Sequence, residues 1–373
     1  MIRNLKIHFH IFTKTMRTVI YRVTLNALCS FLVLTAGAQD TYSTTAEKLR
    51  KAIDLQFYMP EQGYYRENAE KRPDDRPVSY LWPLCALIQA NREEQALHPT
   101  ANLVDKTLAV IRKYYDDRPP HSGYASYPPP LGGGDRFYDD NQWIGIALMD
   151  AWFAEPRPEY LSISRSIYDF MMTASDTVGG GGLYWEEGKP TKNTCSNGPA
   201  IILSLQLYKA TGEKKFLDTG ISLYNWVNQH LRDTEGLYWD NITYPSGKID
   251  RRKFSYNTGT MMQSALYLYD ITSDEKYLHH AKQSAAAARE YFLSGPLFQD
   301  DLWFNAVLLR AFQHLLRHDS DPSCINAFKA CVDNELKNNQ QPGGLFTRKG
   351  QTLNLVNQAG MLEILNRLAL IRK

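Results

Sequence analysis

A unit of about sixty residues recurs along this chain, and a repeat at that spacing restricts the fold more than any single motif does. Leu207-Tyr208-Lys209-Ala210-Thr211-Gly212-Glu213-Lys214-Lys215-Phe216-Leu217 is answered by Leu268-Tyr269-Asp270-Ile271-Thr272-Ser273-Asp274-Glu275-Lys276-Tyr277-Leu278. Weaker echoes stand at Leu148-Met149-Asp150-Ala151-Trp152 and Leu87-Ile88-Gln89-Ala90. Each unit reads as an apolar helix, a short polar turn and an amphipathic helix, followed by a longer loop rich in Gly, Tyr and Trp. The hydrophobic period predicts twelve helices, near residues 43–58, 79–96, 100–116, 139–154, 159–175, 194–211, 214–231, 256–272, 275–293, 300–318, 324–339 and 353–371. The even members are apolar nearly all round, as at Ile201, Ile202, Leu203, Leu205 and Leu207, whereas the odd members carry one charged face. A helix apolar on every side belongs inside and an amphipathic one outside. Six such pairs predict an all-α fold, an (α/α)6 barrel of six inner and six outer helices, formed by residues 39–373 as one domain. A tetratricopeptide solenoid fits poorly, because it needs a period of about 34 and helices that are evenly amphipathic.

The hydrophobic share of 43% is enough for a core of that size. Residues 1–38 read differently. They hold Arg3, Lys6, Lys14, Arg17 and Arg22 with no acidic residue, then an apolar run from Leu25 to Leu34, then Ala36-Gly37-Ala38. That order describes a secretory signal peptide cleaved after Ala38, with Met16 as an alternative start. The run is too short to span a membrane, and Leu28 before Cys29 argues against lipidation. An exported protein, periplasmic or secreted and without membrane insertion, is expected. Taking the leader's five basic residues from 42 leaves 37 against 40 acidic ones, a net charge of −3. Nothing then favours nucleic acid or an anionic membrane as a partner. Cys85, Cys195, Cys324 and Cys331 form no CxxC pair. Cys324 and Cys331 lie two helical turns apart, roughly 10 Å, too far for a bridge, so free and mostly buried thiols are expected. There is no HExxH, no calcium loop and no P-loop lysine, and the adjacent His279 and His280 point to different sides of a helix. The reading is no metal, no cofactor and a monomer.

Inner helices of such a barrel run parallel, so their N-termini gather at one end with the long loops. The residues found there are Tyr80-Leu81-Trp82, Tyr138-Asp139-Asp140-Asn141-Gln142-Trp143, Asn193-Thr194-Cys195-Ser196-Asn197, Tyr256-Asn257-Thr258-Gly259 and Asp300-Asp301-Leu302-Trp303. The loops add Leu183-Tyr184-Trp185 and Leu237-Tyr238-Trp239-Asp240. Taken singly, Asp and Asn are ordinary helix caps, and Asp300-Asp301 reads as a capping pair. Caps alone have no reason to bring Trp and Tyr with them. Carboxylates, carboxamides and flat aromatics together are the composition of a carbohydrate site. Trp82, Trp143 and Trp185 are placed there to stack on sugar rings, and Asn141 to read hydroxyls. Glycoside hydrolysis needs two carboxyl groups. Adjacent ones repel, which raises one pKa and leaves the other ionised. Asp139 and Asp140, opening a helix after the loop Leu131-Gly132-Gly133-Gly134, meet that need. Spacing alone assigns neither role nor the stereochemical outcome.

The ordered set also resembles glycoside hydrolase family 76. The motifs that carry the likeness are Tyr138 to Trp143, Gly180-Gly181-Gly182-Leu183-Tyr184-Trp185, Lys192 to Asn197, Leu207 to Leu217, Gly236-Leu237-Tyr238-Trp239-Asp240 and Tyr256-Asn257-Thr258-Gly259. The likeness runs from about residue 45 to the end of the chain. It implies an endo-acting, retaining α-1,6-mannanase of (α/α)6 fold without a metal, acting on α-mannan or mannooligosaccharides. It further implies Asp139 as nucleophile, Asp140 as general acid/base, and Asp240 as a carboxylate binding sugar hydroxyls. Asn193, Asn197, Tyr256 and Asn257 would line the glycone subsite. Ile144 and Thr258 depart from the family, whose members commonly have Trp and Gln there. Competing readings are another (α/α)6 enzyme, such as a transglycosylase or an unsaturated-uronide hydrolase, and a glycan-binding protein without catalysis. The uronide enzyme should bring basic residues to the site.

Overall fold

Six helices that are buried on nearly every side close a ring, around which a second layer of helices covers their outer faces. The computed structural model describes residues 41–371; the expected leader at 1–38 and its cleavage point lie outside the described residues. The inner helices are α2 (Leu81–Leu97), α4 (Tyr138–Ala154), α6 (Thr194–Thr211), α8 (Ser255–Thr272), α10 (Leu302–Leu315) and α12 (Leu355–Leu370). Each packs on the next, and α12 returns to α2, which closes the circle. The outer layer consists of α1 (residues 41–57), α3 (Leu103–Ile111), α5 (Pro158–Met172), α7 (Lys214–His230), α9 (Glu275–Phe292) and α11 (Ser323–Asn338). α7 shows the outer pattern, with Phe216, Gly220, Leu223, Tyr224 and Val227 buried at helical spacing. The barrel is the expected (α/α)6 architecture. Among the described residues no helix is long and apolar enough to cross a membrane. All four cysteines described are free, and Cys85, Cys195 and Cys331 are buried.

Two inner-ring contacts are so close that only glycine fits. A Cβ on Gly259 of α8 would stand 2.9 Å from Leu308 Cα of α10. A Cβ on Gly360 of α12 would stand 2.6 Å from Trp303 Cα and 2.7 Å from the carbonyl carbon of Leu302. Both obstacles are backbone, which cannot turn aside.

The structure departs from the expected helices in two places. The helix expected at 100–116 is shorter, because Asn102 takes a left-handed φ of 50° before it and the chain leaves it to form a ladder. There β3 (Tyr115–Asp116) pairs with β4 (Gly123–Tyr124), much as β1 (Tyr58–Met59) pairs with β2 (Tyr64–Tyr65) farther up the chain. The second departure is a three-stranded antiparallel sheet at the rim, β5 (Thr191–Asn193), β6 (Trp239–Thr243) and β7 (Lys248–Lys253), where hardly any strand was expected. Lys-Ile-Asp-Arg-Arg-Lys has no alternating apolar face, since β7 buries none. The pairing shifts between Trp239 and Asn241, where β7 carries the extra residue: Arg251 and Arg252 together oppose the single Asp240 of β6.

Gly360→Ala is expected to lower stability by about 1–3 kcal/mol, the usual cost of overpacking, read as a reduced urea midpoint at unchanged m-value. An unchanged midpoint would show that α10 and α12 can part without cost.

Candidate active site

The N-termini of the inner helices surround a cavity of about 510 Å3. Its wall follows a rule set by the 100° step of an α-helix. The second residue of five successive inner helices lines it: Trp82, Asp139, Cys195, Tyr256 and Trp303. Residues at the fourth position lie about 200° round and face the loops instead. Asn141 is wholly buried; its Oδ1 accepts from Tyr124 N–H at 2.7 Å, and its Nδ2 donates to the carbonyls of Tyr124 and Phe137 at 3.0 and 2.8 Å. Asn197 repeats the arrangement, accepting from Leu183 N–H at 2.8 Å and donating to Leu183 and Asn193 carbonyls at 3.0 and 2.8 Å. Gln358, fourth in α12, holds the N–H and carbonyl of Phe346, both at 2.7 Å. Asn141 and Asn197 are therefore corrected from substrate contacts to loop clamps: every carboxamide group is committed to backbone.

Neither aspartate caps α4. The N-cap is Phe137, whose side chain makes no capping bond, and Tyr138 N–H is taken by Trp185 carbonyl at 3.0 Å. The glycine-rich loop before it is tied down by Arg136, 1% exposed, which pairs with Glu187 and donates to the carbonyls of Arg118, Pro119 and His121. Asp139 and Asp140 are half-buried and both on the cavity wall. Their environments differ. Asp139 Oδ2 accepts from Trp185 Nε1 at 3.1 Å and Oδ1 from Asp140 N–H at 3.1 Å. Desolvation pushes its pKa up to about 6, against the lowering effect of donors that include the Cys195 thiol and the Trp185 indole. Asp140 is pushed well above the ordinary carboxylate range, first by desolvation and then by the charge of Asp139. One carboxyl is thus poised to be ionised where the other holds its proton.

The remaining expected residues divide. Trp82, Trp143, Trp185, Asn193, Asp240 and Tyr256 line the cavity. Trp303 joins the aromatic wall, with centroids 6.1 Å from Trp82 and 5.8 Å from Trp143. Tyr256 stacks on Phe304 at 4.1 Å. Opposite the bulge in β7, β6 presents Asp240, which accepts from Asn241 Nδ2 at 3.0 Å and faces Arg252 at 3.5 Å. Burial still raises its pKa. Asn257 is wholly buried next to Asp240 and is not part of the wall. Asp300 and Asp301 do not act together at α10. Asp300 Oδ2 accepts from Ser255 N–H at 2.6 Å and so caps the neighbouring α8, while Asp301 makes no side-chain cap. Residues not expected on the wall are Phe137, Thr191, Cys195, Asn241, Arg252, Phe254, Trp303 and Phe304. The second-position rule marks Cys195 and Trp303; the others needed the rim strands and their neighbours. Among the described residues, metal-ligand spacing occurs only at Asp270, His314 and His318, toward the C-terminal ends of α8 and α10 and off this wall.

Comparison with known proteins places this geometry in context. The family model for glycosyl hydrolase family 76 matches residues 42–315. A mannan endo-1,6-alpha-mannosidase of Candida glabrata is 27% identical over 179 residues, 43% of this chain and 40% of that protein. Its Saccharomyces cerevisiae counterpart is 26% identical over 178 residues, with the same coverage of 43% and 40%. The chain thus spans about two fifths of the length of these curated relatives. Among solved structures, a family 76 α-mannanase of Bacteroides thetaiotaomicron aligns with a TM-score of 0.81 at 24% identity, covering 88% of this chain and 95% of that one. An inactive α-1,6-mannanase variant from Salegentibacter, with two consecutive aspartates changed to asparagine and α-1,6-mannotriose bound, aligns at 0.74 and 22% identity, covering 88% and 99%.

Both aspartates on the cavity wall titrate higher folded than unfolded, so the ionised pair costs stability. The cost is absent below the unfolded value of about 3.9 and complete above the folded value, which for Asp139 is about 6. Asp140→Asn is therefore expected to melt above wild type at pH 7, with the gap closing as the pH approaches about 4. A variant melting at or below wild type at pH 7 contradicts the desolvation account.

Proposed function

The chain belongs to glycosyl hydrolase family 76, and from that premise we propose that it is an exported, endo-acting α-1,6-mannanase that retains anomeric configuration. The observation that carries this reading is the unequal pair on the cavity wall, Asp139 supported by donors and Asp140 without them. Asp139 attacks the anomeric carbon while Asp140 gives its proton to the departing glycosidic oxygen. The fragment on the reducing-end side leaves in that step; Asp140, now a carboxylate, then takes a proton from water, whose oxygen displaces Asp139 and frees the glycone with a new reducing end. This is the double displacement open to two close carboxyls.

The aromatic wall supports a pyranose substrate, with Trp82 and Trp185 offering ring faces, Trp143 (2% exposed) packed against Trp303 beside them, and Asn193, Asp240 and Tyr256 offering polar groups. The names of the yeast relatives and of the Salegentibacter complex support the α-1,6 linkage. Export is supported by the basic and apolar pattern of residues 1–38, and α-mannan is the polymer such an enzyme would meet outside the cell. A uronide substrate is disfavoured. Among the described residues Arg252 is the one cation on the wall, and it is held by Asp250 at 2.7 Å and Asp240 at 3.5 Å.

Linear α-1,6-mannan incubated with wild type should yield a ladder of mannooligosaccharides that Asp139→Ala and Asp140→Ala both abolish. Intact polymer with retained binding in all three proteins would favour a glycan-binding role. The pH profile of kcat/KM should rise as Asp139 ionises near pH 6 and fall as Asp140 loses its proton at a higher value. Trp185→Phe removes a donor to the Asp139 carboxylate, so the acid limb should move up by roughly one to two units. An unmoved limb would separate that limb from Asp139.

A further inference from the structure

Asp139 is held by a residue from another loop, and that loop is gripped by an ion pair that takes no part in the hydrolytic steps. The indole N–H of Trp185 donates to Asp139 Oδ2 at 3.1 Å. Trp185 belongs to a rim hairpin whose arms meet where its backbone N–H donates to the Thr191 carbonyl at 3.0 Å. Residues 188–190 at the turn are exposed, and Gly188 takes a φ of 74°. Little packing therefore holds the hairpin from outside. It meets the start of α4 through two backbone bonds, Tyr138 N–H to the Trp185 carbonyl at 3.0 Å and Glu187 N–H to the Arg136 carbonyl at 3.3 Å. A strand pairing that short is marginal by itself.

Side chains supply the rest. Arg136 Nε and Nη2 each donate to one oxygen of Glu187, both at 2.7 Å, in a bidentate geometry that lysine cannot offer. Its other donors reach the carbonyls of Arg118 and His121 at 2.9 Å and of Pro119 at 3.2 Å. A guanidinium has five N–H groups, and all five are used. Arg136 is buried, so removing Glu187 would strand its charge. Phe137, next in sequence, meets the Trp185 ring with centroids 5.0 Å apart. The pair thus joins segments 51 residues apart, one carrying Asp139 and the other its donor. Neither Arg136 nor Glu187 lines the cavity. Neither is among the leading influences on the ionisation of Asp139, whereas the Trp185 indole is. Their effect on Asp139 therefore passes through the indole.

We propose that Glu187 is a positioning residue for the hydrolysis: its carboxylate, gripping Arg136, holds the Trp185 indole on Asp139 Oδ2. This role rests on the hydrolase reading, in which Asp139 is the nucleophile. The indole bond fixes which way the carboxylate faces and favours its ionised form, and both matter to an attacking oxygen. The neighbouring Glu186 has no such part, since its carboxylate faces Lys189 at 3.9 Å on the same turn.

Kinetics combined with nuclear magnetic resonance of the full chain, labelled with nitrogen-15 at tryptophan, tests this. Seven tryptophans give seven indole N–H resonances, and Trp185→Phe identifies the one that belongs to Trp185. In wild type that resonance should titrate near pH 6 with Asp139. In Glu187→Gln and Glu187→Ala its midpoint should rise. The acid limb of kcat/KM should move the same way, by roughly half a unit or more and no farther than in Trp185→Phe. Added to Trp185→Phe, Glu187→Ala should move the limb no further, because both act through one bond. The six other indole resonances report an intact fold. Asp139 is also faced by Asp140, by the thiols of Cys85 on α2 and Cys195 on α6, by Tyr256 on α8, and by Asp240 and Arg252 on the same wall. All of these stay in place in the Glu187 variants. Lys189→Ala, on the same turn, should shift neither midpoint nor limb. An unmoved midpoint in both Glu187 variants, or an equal limb shift in the wild-type and Trp185→Phe backgrounds, would overturn the proposal. Mannan left intact by wild type would fail the hydrolase reading alone, because the indole titration reads the tie without substrate.

Discussion

The working end of this protein depends on one geometric constraint, the angular step between successive residues at the start of parallel helices. With about 100° per residue, the second residue of five inner helices looks toward the axis and the fourth residue of three looks back at the loops. Trp82, Asp139, Cys195, Tyr256 and Trp303 occupy the first kind of position, and Asn141, Asn197 and Gln358 the second. A single helical repeat thereby supplies both a lined cavity and the carboxamides that fix the loops around it. The close backbone contacts at Gly259 and Gly360 serve the same end, since they set how near the inner helices stand.

Within that ring, solvent exclusion outweighs the other influences on the aspartates. Helix N-termini favour negative charge, by about 0.3–1 kcal/mol at each site. The pKa of Asp139 nevertheless rises to about 6, with desolvation as the largest cause, which is the opposite sense. Burial among Phe137, Trp185 and Tyr256 thus prevails over the dipole, and hydrogen bonds decide how its effect divides. Asp139 receives the Trp185 indole and the Asp140 N–H, while its charge acts on Asp140 as repulsion. The asymmetry needs no metal and no histidine, only donors aimed at one of two neighbours.

Much of this was legible in the residues because a repeat writes the same physics several times. Alternating all-apolar and one-faced helices announced inner and outer layers, and the loop aromatics announced the working end. What failed was reading residue type without angle. Asn141 and Asn197 have the chemistry of sugar ligands but sit at the clamp position, so their groups are spent on Tyr124, Phe137, Leu183 and Asn193. Cys195 is the free, buried thiol expected, but its place beside Asp139 and Tyr256 was hidden because those neighbours come from two other repeats. The rim sheet was hidden for a different reason. An exposed, charged strand such as Lys248–Lys253 has no apolar face to betray it, and the β7 bulge opposite Asp240 is a property of pairing, not of composition.

Parallel inner helices also make the two ends of the barrel chemically unlike, and this follows from the backbone before any side chain is chosen. N–H groups point into the front and carbonyls toward the rear. The front can therefore hold three carboxylates, Asp139, Asp140 and Asp240, with Arg252 as their one cationic neighbour on the wall among the described residues. The rear gathers Arg92, Lys209, Arg310, Arg317 and Arg367 against Glu93 and Asp150. Reversing either set would place like charges at the matching helix ends and add to a desolvation cost already large. The fold thus prescribes where acids can be buried for catalysis, and it leaves the far end as the place where the same chain accommodates positive charge.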